Sequence, residues 1–557
     1  MHKSFSKIKV ITAVFIAVAM MLVATGCTTS VKKNNVLTIG AEQQPDCLDF
    51  VGSCSGSAWG YWMVAVQTLP RAFSAEKIDG KEGYESKITN LLAKDPILET
   101  DPVQKMTYEI NPDAVWSDGV EITGQDFVYT WDQIANTEDV YDKTGYDVIK
   151  SVDVDKKDNK KVVVTMGDTY AGWKTLFGGN YGILPSHILK GKDRNALTKD
   201  GYTFSGGPFK LAENGWKKGD SISLVPNDKY WGDKPKVDKV VFKFLEDTVA
   251  QFKSFKAGEV DAIQPQPQLD VIESINNNKD KKFSKLVDPN TGAIEALWIN
   301  NSAKPFDSIK VRQALGYSID RDSLVKALFG DIGVTKAVNS LLPPILSQYA
   351  NPVGFSDYKL NTDKASSLLA QDGWKKNSDG IYAKNGKLLE FTLNTTEGNE
   401  RRVLMIQNIQ SQLQQAGWKV NIEPLSADVL FGDEILPEGK YQAAIFAQVI
   451  TVLDPPNCSL FCIDQIPGAE DTSGTNTTFT NNKEADKLLK LVDRELDEAK
   501  RIQASSDSEK ILAEIATSFP LDPLPDILLW NNKKIGGDIQ QNPVQGPFWT
   551  LYKWTLK

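Results

Sequence analysis

Histidine is almost missing from this chain: 557 residues carry two, His2 and His187. That excludes a multi-histidine metal centre, and the zinc-protease pattern HExxH does not occur. His187, in Leu184-Pro185-Ser186-His187-Ile188-Leu189, reads as the start of a short helix. The nucleotide patterns GxxxxGK(S/T) and GxGxxG and the serine-hydrolase pattern GxSxG are also absent. A basic excess is lacking too. Lys and Arg number 63 against 72 Asp and Glu, a net charge of −9, which suits neither nucleic acid nor a polybasic membrane surface. No repeat or low-complexity tract is present, and no membrane segment beyond the N-terminal apolar run. A carboxylate pair acting on sugars stays open, because no sequence pattern defines one.

The N-terminus reads as an export signal. Lys3, Lys7 and Lys9 precede an apolar run from Val10 to Val23, too short for the roughly 20 residues of a membrane span. Ala24-Thr25-Gly26-Cys27 resembles a bacterial lipoprotein cleavage box, which makes residues 1–26 a signal, Cys27 the lipidated first residue and 27–35 a polar tether. The other four cysteines fall in two close pairs, Cys47 with Cys54 and Cys458 with Cys462. An even remainder in an exported chain predicts two small-loop disulfides; a metal site is the rival, but CxxxxxxC and CxxxC lack its usual spacing.

The length predicts two or three domains. Val36–Ala41 reads as a strand, followed by an irregular segment and an aromatic cluster, Trp59, Tyr61 and Trp62, that is either core or the wall of a ligand site. Between Tyr108 and Trp131 come a strand, a turn at Ser117-Asp118-Gly119 and a helix capped by Thr123. Val237–Leu245, Thr248–Lys256 and Val260–Ile263 follow as β-α-β, and Leu389–Leu393, Arg401–Ala416 and Trp418–Glu423 repeat that order; each predicts a parallel pair with a right-handed crossover. Helices resume over Ala485–Thr517, and a proline-punctuated tail ending in Trp549, Tyr552 and Trp554 is expected to pack back on an earlier domain. Tyr441–Leu453 has the composition of a strand buried on both faces, and Pro455-Pro456 ends it just after Asp454. That carboxylate either opens a turn or recognises a cation.

Four stretches carry a resemblance: WSDGVEITGQDFVYTW (Trp116–Trp131), SGGPFKLAENGWKKGDSISLVPNDKYWG (Ser205–Gly232), FKSFKAGEVDAI (Phe252–Ile263) and LWINNSAKPFDSIKVRQALGYSIDRDSLV (Leu297–Val325). They resemble the extracellular solute-binding proteins of bacterial ABC importers, in the large family 5 of oligopeptide, dipeptide and nickel binders. The resemblance implies an α/β fold, a two-lobed periplasmic-binding-protein-like clamshell of type II with an extra inserted subdomain. Lobe I would comprise 36–67, 201–288 and 518–557, with 68–200 inserted, and lobe II 292–517, the hinge crossings lying near Pro289 and Pro520.

In the family's peptide binders an Asp soon after a second-lobe strand holds the peptide α-amino group. The resemblance gives that place to Asp454, with Thr451 where a tryptophan usually stands and a tighter proline spacing. Trp59 and Ser57, beside the Cys47/Cys54 loop, and Asn476 are expected cleft residues, whereas Trp62, Trp298 and Trp418 are expected in the core. Asp454→Ala is then expected to leave folding intact and abolish peptide affinity.

The function expected is that of a monomeric, lipid-anchored binding component on the outer face of the cell membrane. It would capture small peptides and deliver them to an ABC permease, with no catalysis, cofactor, resident metal or nucleic acid. An oligosaccharide or, less readily, a nickel chelate is the alternative ligand, and a secreted hydrolase the alternative outside the class.

Overall fold

Val36–Ala41, VLTIGA, forms the middle strand of a seven-stranded sheet. The computed structural model describes residues 35–557 except 79–83, 180, 279–281, 289–290, 352, 433–434, 451 and 469–473. The export signal, Cys27, Pro289 and Thr451 therefore lie outside the described residues. Among the described residues no helix is long and apolar enough to cross a membrane.

The first sheet runs in the order Ser284–Asp288, Asp526–Trp530, Ala262–Ile263, Val36–Ala41, Lys239–Phe244, Ser221–Pro226, Phe209–Lys217. The β-α-β unit expected here is present, its helix Thr248–Ala257 capped by Asp247 and stopped by Gly258 at φ 78°. Its two strands are not direct neighbours, however. Val36–Ala41 inserts between them, parallel to both, because a buried apolar strand from the distant N-terminus fills the centre. Local order shows the crossover but not which strand enters the gap.

The second sheet runs Lys419–Leu425, Glu390–Thr396, Ala443–Val449, Ala293–Ile299, Ser518–Pro523. Glu390–Thr396 pairs in parallel with Lys419–Leu425 through the helix Glu400–Ala416, as its sequence predicts, and Gly417 ends the helix at φ 96°. The strand expected over Tyr441–Leu453 is shorter, Ala443–Val449; its first four residues are buried and its last three are partly exposed.

Ser518–Pro523 is the edge strand of this second sheet, a place that tolerates its prolines, and only Asp526–Trp530 belongs to the first sheet. The return crossing is therefore at Leu524-Pro525, later than the expected Pro520. Prolines obscure a strand in sequence because they remove ladder donors, although an edge strand keeps one face unpaired anyway.

A four-stranded antiparallel sheet, Ile97–Glu99, Lys105–Glu109, Lys161–Met166 and Ile149–Val154, carries the helix Gly124–Ala135. Thr123 and Asp126 form its capping box, and Asp126 also accepts from Trp116 Nε1 at 3.3 Å and from Ser186 N at 2.7 Å. The quoted WSDG…TGQD stretch thus acts as a structural joint. The C-terminal tail does pack back: Phe548, Leu551 and Trp554 are fully buried in the core beneath the first sheet, and Gln67 Nε2 donates to the Phe548 carbonyl at 2.9 Å.

Candidate functional site

The chain passes from the first sheet to the second between Asp288 and Ala293 and returns between Pro523 and Asp526. A cleft with about 2250 Å³ of empty space, counting the part open to solvent, lies above these crossings.

One wall comes from residues 57–62. Ser57 caps a short helical segment, its Oγ accepting from Gly60 N at 3.4 Å, so the hydroxyl is already engaged. Trp59, Tyr61 and Trp62 line the cleft and are also nearly buried, which makes the core-or-wall choice a false one. Trp59 meets Trp62 edge-on at 5.8 Å and Phe548 of the tail at 6.0 Å, so distant segments hold the wall rigid. A tyrosine-rich wall, Tyr141, Tyr146, Tyr170 and Tyr181, faces in from the four-stranded region. Burial pushes these hydroxyls up, Tyr141 to about 12, and they stay protonated donors.

The opposite wall is built on Phe446–Ile450, Asp454, Pro455, Pro456 and Ser459. Asp454 lines the cleft, but its carboxylate is engaged: Arg501 Nη2 donates to Oδ1 and to Oδ2, each at 2.7 Å. Arg501, from the helix Glu498–Glu514, also donates to the Val492 carbonyl at 2.7 Å. Burial pushes the Asp454 carboxyl up against the pull of Arg501. Next to it Asp493 also lines the cleft, and burial followed by the Asp454 charge drives its carboxyl well above the usual range. With Asp142, three carboxyl groups share this end of the cleft with the Arg501 guanidinium, and a cation arriving there would favour ionisation of the protonated Asp493.

Asn476 does not line the cleft. It is fully buried, and its Nδ2 donates to the carbonyls of Cys462 and Thr480, each at 3.0 Å, while its neighbours Thr475 and Thr477 face the cavity. Trp298 and Trp418 are buried in the second core. Both expected disulfides are present, Cys47–Cys54 and Cys458–Cys462, the second stiffening the turn after Asp454. His187 sits away from the cleft wall, its Nε2 2.8 Å from Asp118 Oδ2.

Sequence reasoning misses Arg501, Asp493, Asp142 and Arg402, which also lines the cleft. Arg501 had a signal, since it shares a helix face with the buried Ala504, Ser505, Ser508 and Leu512, and a cation on such a face needs a partner. The walls touch at the rim: Ser459 Oγ donates to Asp142 Oδ2 at 2.7 Å, Ala171 N to the Asp493 carbonyl at 2.6 Å, and Arg494 pairs with Asp168 at 3.1 Å.

The family model for bacterial extracellular solute-binding proteins, family 5 Middle, matches residues 87–461. The oligopeptide-binding protein AppA of Bacillus subtilis (strain 168) is 29% identical over 421 residues, 74% of this chain and 73% of that protein. The structure of AppA in complex with a nonapeptide aligns with a TM-score of 0.81 at 23% identity, covering 94% of this chain and 99% of that one. NikZ from Campylobacter jejuni in complex with Ni(L-His) aligns with a TM-score of 0.79 at 22% identity, covering 94% and 99%. The fold is accordingly the two-lobed periplasmic-binding-protein clamshell, and the chain belongs to the bacterial extracellular solute-binding proteins of family 5.

Proposed function

We propose that this protein captures small peptides in the interlobe cleft outside the cell and delivers them to an ABC permease, without acting on them chemically. The observation that carries this reading is the cleft, walled by aromatic side chains and bearing several carboxyl groups at the Asp454 end. The oligopeptide-binding relatives support it. A peptide α-ammonium would favour ionisation of Asp493, and Asp454 and Asp493 are its proposed contacts, Asp454 as half of a pair with Arg501. Trp59 would pack against the peptide, while the Ser57 hydroxyl and Asn476 would shape the walls from behind.

The lobes are proposed as 36–67, 201–288 and 526–557 for lobe I, with 68–200 inserted, and 292–523 for lobe II. A monomer tethered through a lipid on Cys27 completes the reading, supported by the signal-like N-terminus. A nickel chelate is disfavoured because the described cleft wall carries no histidine.

Mass analysis of ligand released from natively purified protein tests the proposal. Peptides are the expected cargo, and isothermal titration with them should show one site per chain with each peptide recovered intact. Sugars or metal chelates as the recovered ligand, or cleaved peptide, would overturn it.

A further inference from the structure

Ser459 and Asp142 meet across the cleft, and each is held in place by its own wall. The Tyr181 hydroxyl accepts from Asp142 N and donates to the Asp142 carbonyl, both at 2.6 Å, and Thr144 N donates to Asp142 Oδ1 at 2.8 Å. That leaves Oδ2 for the opposite wall, where Ser459 Oγ donates to it at 2.7 Å. On the Ser459 side, Thr475 Oγ1 donates to the Ser459 carbonyl at 2.7 Å and lies 3.0 Å from Ser459 Oγ.

The other contacts at this rim are weaker ties. Arg494 and Asp168 are both about half-exposed, where water and salt screen an ion pair, and the bond from Ala171 N to the Asp493 carbonyl joins neutral groups. Asp142 is buried and offers a carboxylate acceptor, so its bond with Ser459 is the strongest of the three.

The serine stands on a turn with little of its own to hold it. The helix Asn457–Phe461 has five residues, Pro456 at its N-cap and no side-chain cap. A single helical turn does not sustain itself, and Pro455 and Pro456 add no backbone donor. The Cys458–Cys462 bridge joins the same two residues as the bond from Cys462 N to the Cys458 carbonyl at 2.8 Å, and so staples the turn around Ser459. With a sequence separation of 4 it closes too short a loop to restrict the unfolded chain much. Its effect is local.

We propose that Ser459 and Asp142 form the latch that holds the cleft shut over its cargo, and that Cys458 and Cys462 are positioning residues that set Ser459 for it. Opening parts the two walls and breaks this bond, while the bonds within each wall persist. Losing the latch therefore shifts the lobes toward the open state and weakens capture without any change in the groups that touch the cargo most closely. The inference rests on the capture reading of the cleft but not on the cargo being a peptide.

Calorimetric titration of synthetic tri- to nonapeptides into wild type, S459A, the alanine pair C458A/C462A and the triple variant tests it. S459A should weaken binding about tenfold, the alanine pair by a similar factor, and the triple variant by no more than either, because all three break one contact. A loss of about a hundredfold in the triple variant, or wild-type affinity in S459A or in the alanine pair, overturns the proposal. An alanine pair that does not fold overturns it too, since the bridge is assigned one turn and not the whole fold. Wild type that binds none of the peptides sinks the peptide reading instead, and crystals of the alanine pair then decide the latch. An unwound turn over residues 455–462 supports it, and Ser459 Oγ still within hydrogen-bond distance of Asp142 Oδ2 overturns it.

Discussion

A single guanidinium nitrogen, Nη2 of Arg501, donates to both carboxylate oxygens of Asp454 at 2.7 Å, across 47 residues of sequence. The carboxylate expected to wait for a ligand is already half of a buried ion pair. This changes what its removal does.

Asp454→Ala should destabilise the fold, in contrast to the expectation from sequence that folding stays intact. It leaves the Arg501 charge buried and uncompensated, a loss of about 3–5 kcal/mol of unfolding free energy. Urea denaturation measures it. The double variant D454A/R501M should regain most of the loss, because no unpaired charge remains.

Asp493→Asn should act on binding. Burial holds the Asp493 carboxyl protonated, and asparagine cannot release a proton to meet an arriving ammonium, so the change weakens peptides with a free α-amino group by about 2 kcal/mol, some thirtyfold, and leaves N-acetylated peptides unchanged. Calorimetric titration of matched free and acetylated peptides gives the two numbers, and an equal loss for both would point to general damage to the cleft.

Stability should depend on pH through the crossing strands. Asp526 has an ordinary value near 3.8 and is pushed up to about 7 in the fold. The folded protein therefore holds a proton at Asp526 that the unfolded chain has lost, and this one carboxyl makes stability fall as pH rises, by about 1.4 kcal/mol per unit between pH 4 and 7, levelling off above. Denaturation series on D526N should show a shallower slope across that window.

Alkylation under denaturing, non-reducing conditions should label none of Cys47, Cys54, Cys458 and Cys462. Replacing Cys47 and Cys54 together by serine should cost about 2 kcal/mol, the lower end for a native bridge because the loop is short.

The sequence carries local features well. Periodicity and Gly417 mark the helix Glu400–Ala416 and its flanking parallel strands to within three residues, and Thr123 marks the cap of the helix Gly124–Ala135. Long-range placement is where it fails. Nothing near Val36–Ala41 says that it separates two strands more than 200 residues away. The cleft was legible as a place but not as a set of contacts. Trp59 and Asp454 stand on its walls, yet the partner of Asp454 lies in a helix read only for its length, and Asn476 differs from its cleft-facing neighbours by which way one loop residue turns.

The strand Asp526–Trp530, between Ser284–Asp288 and Ala262–Ile263, also sets an order of assembly. The first sheet lacks an interior strand until the last tenth of the chain exists, and Gln67 waits for a partner 481 residues downstream. The second sheet draws all its strands from one continuous stretch, Ala293 to Pro523. During synthesis the second lobe is thus free to finish first, while the lobe that begins the chain is completed by its end.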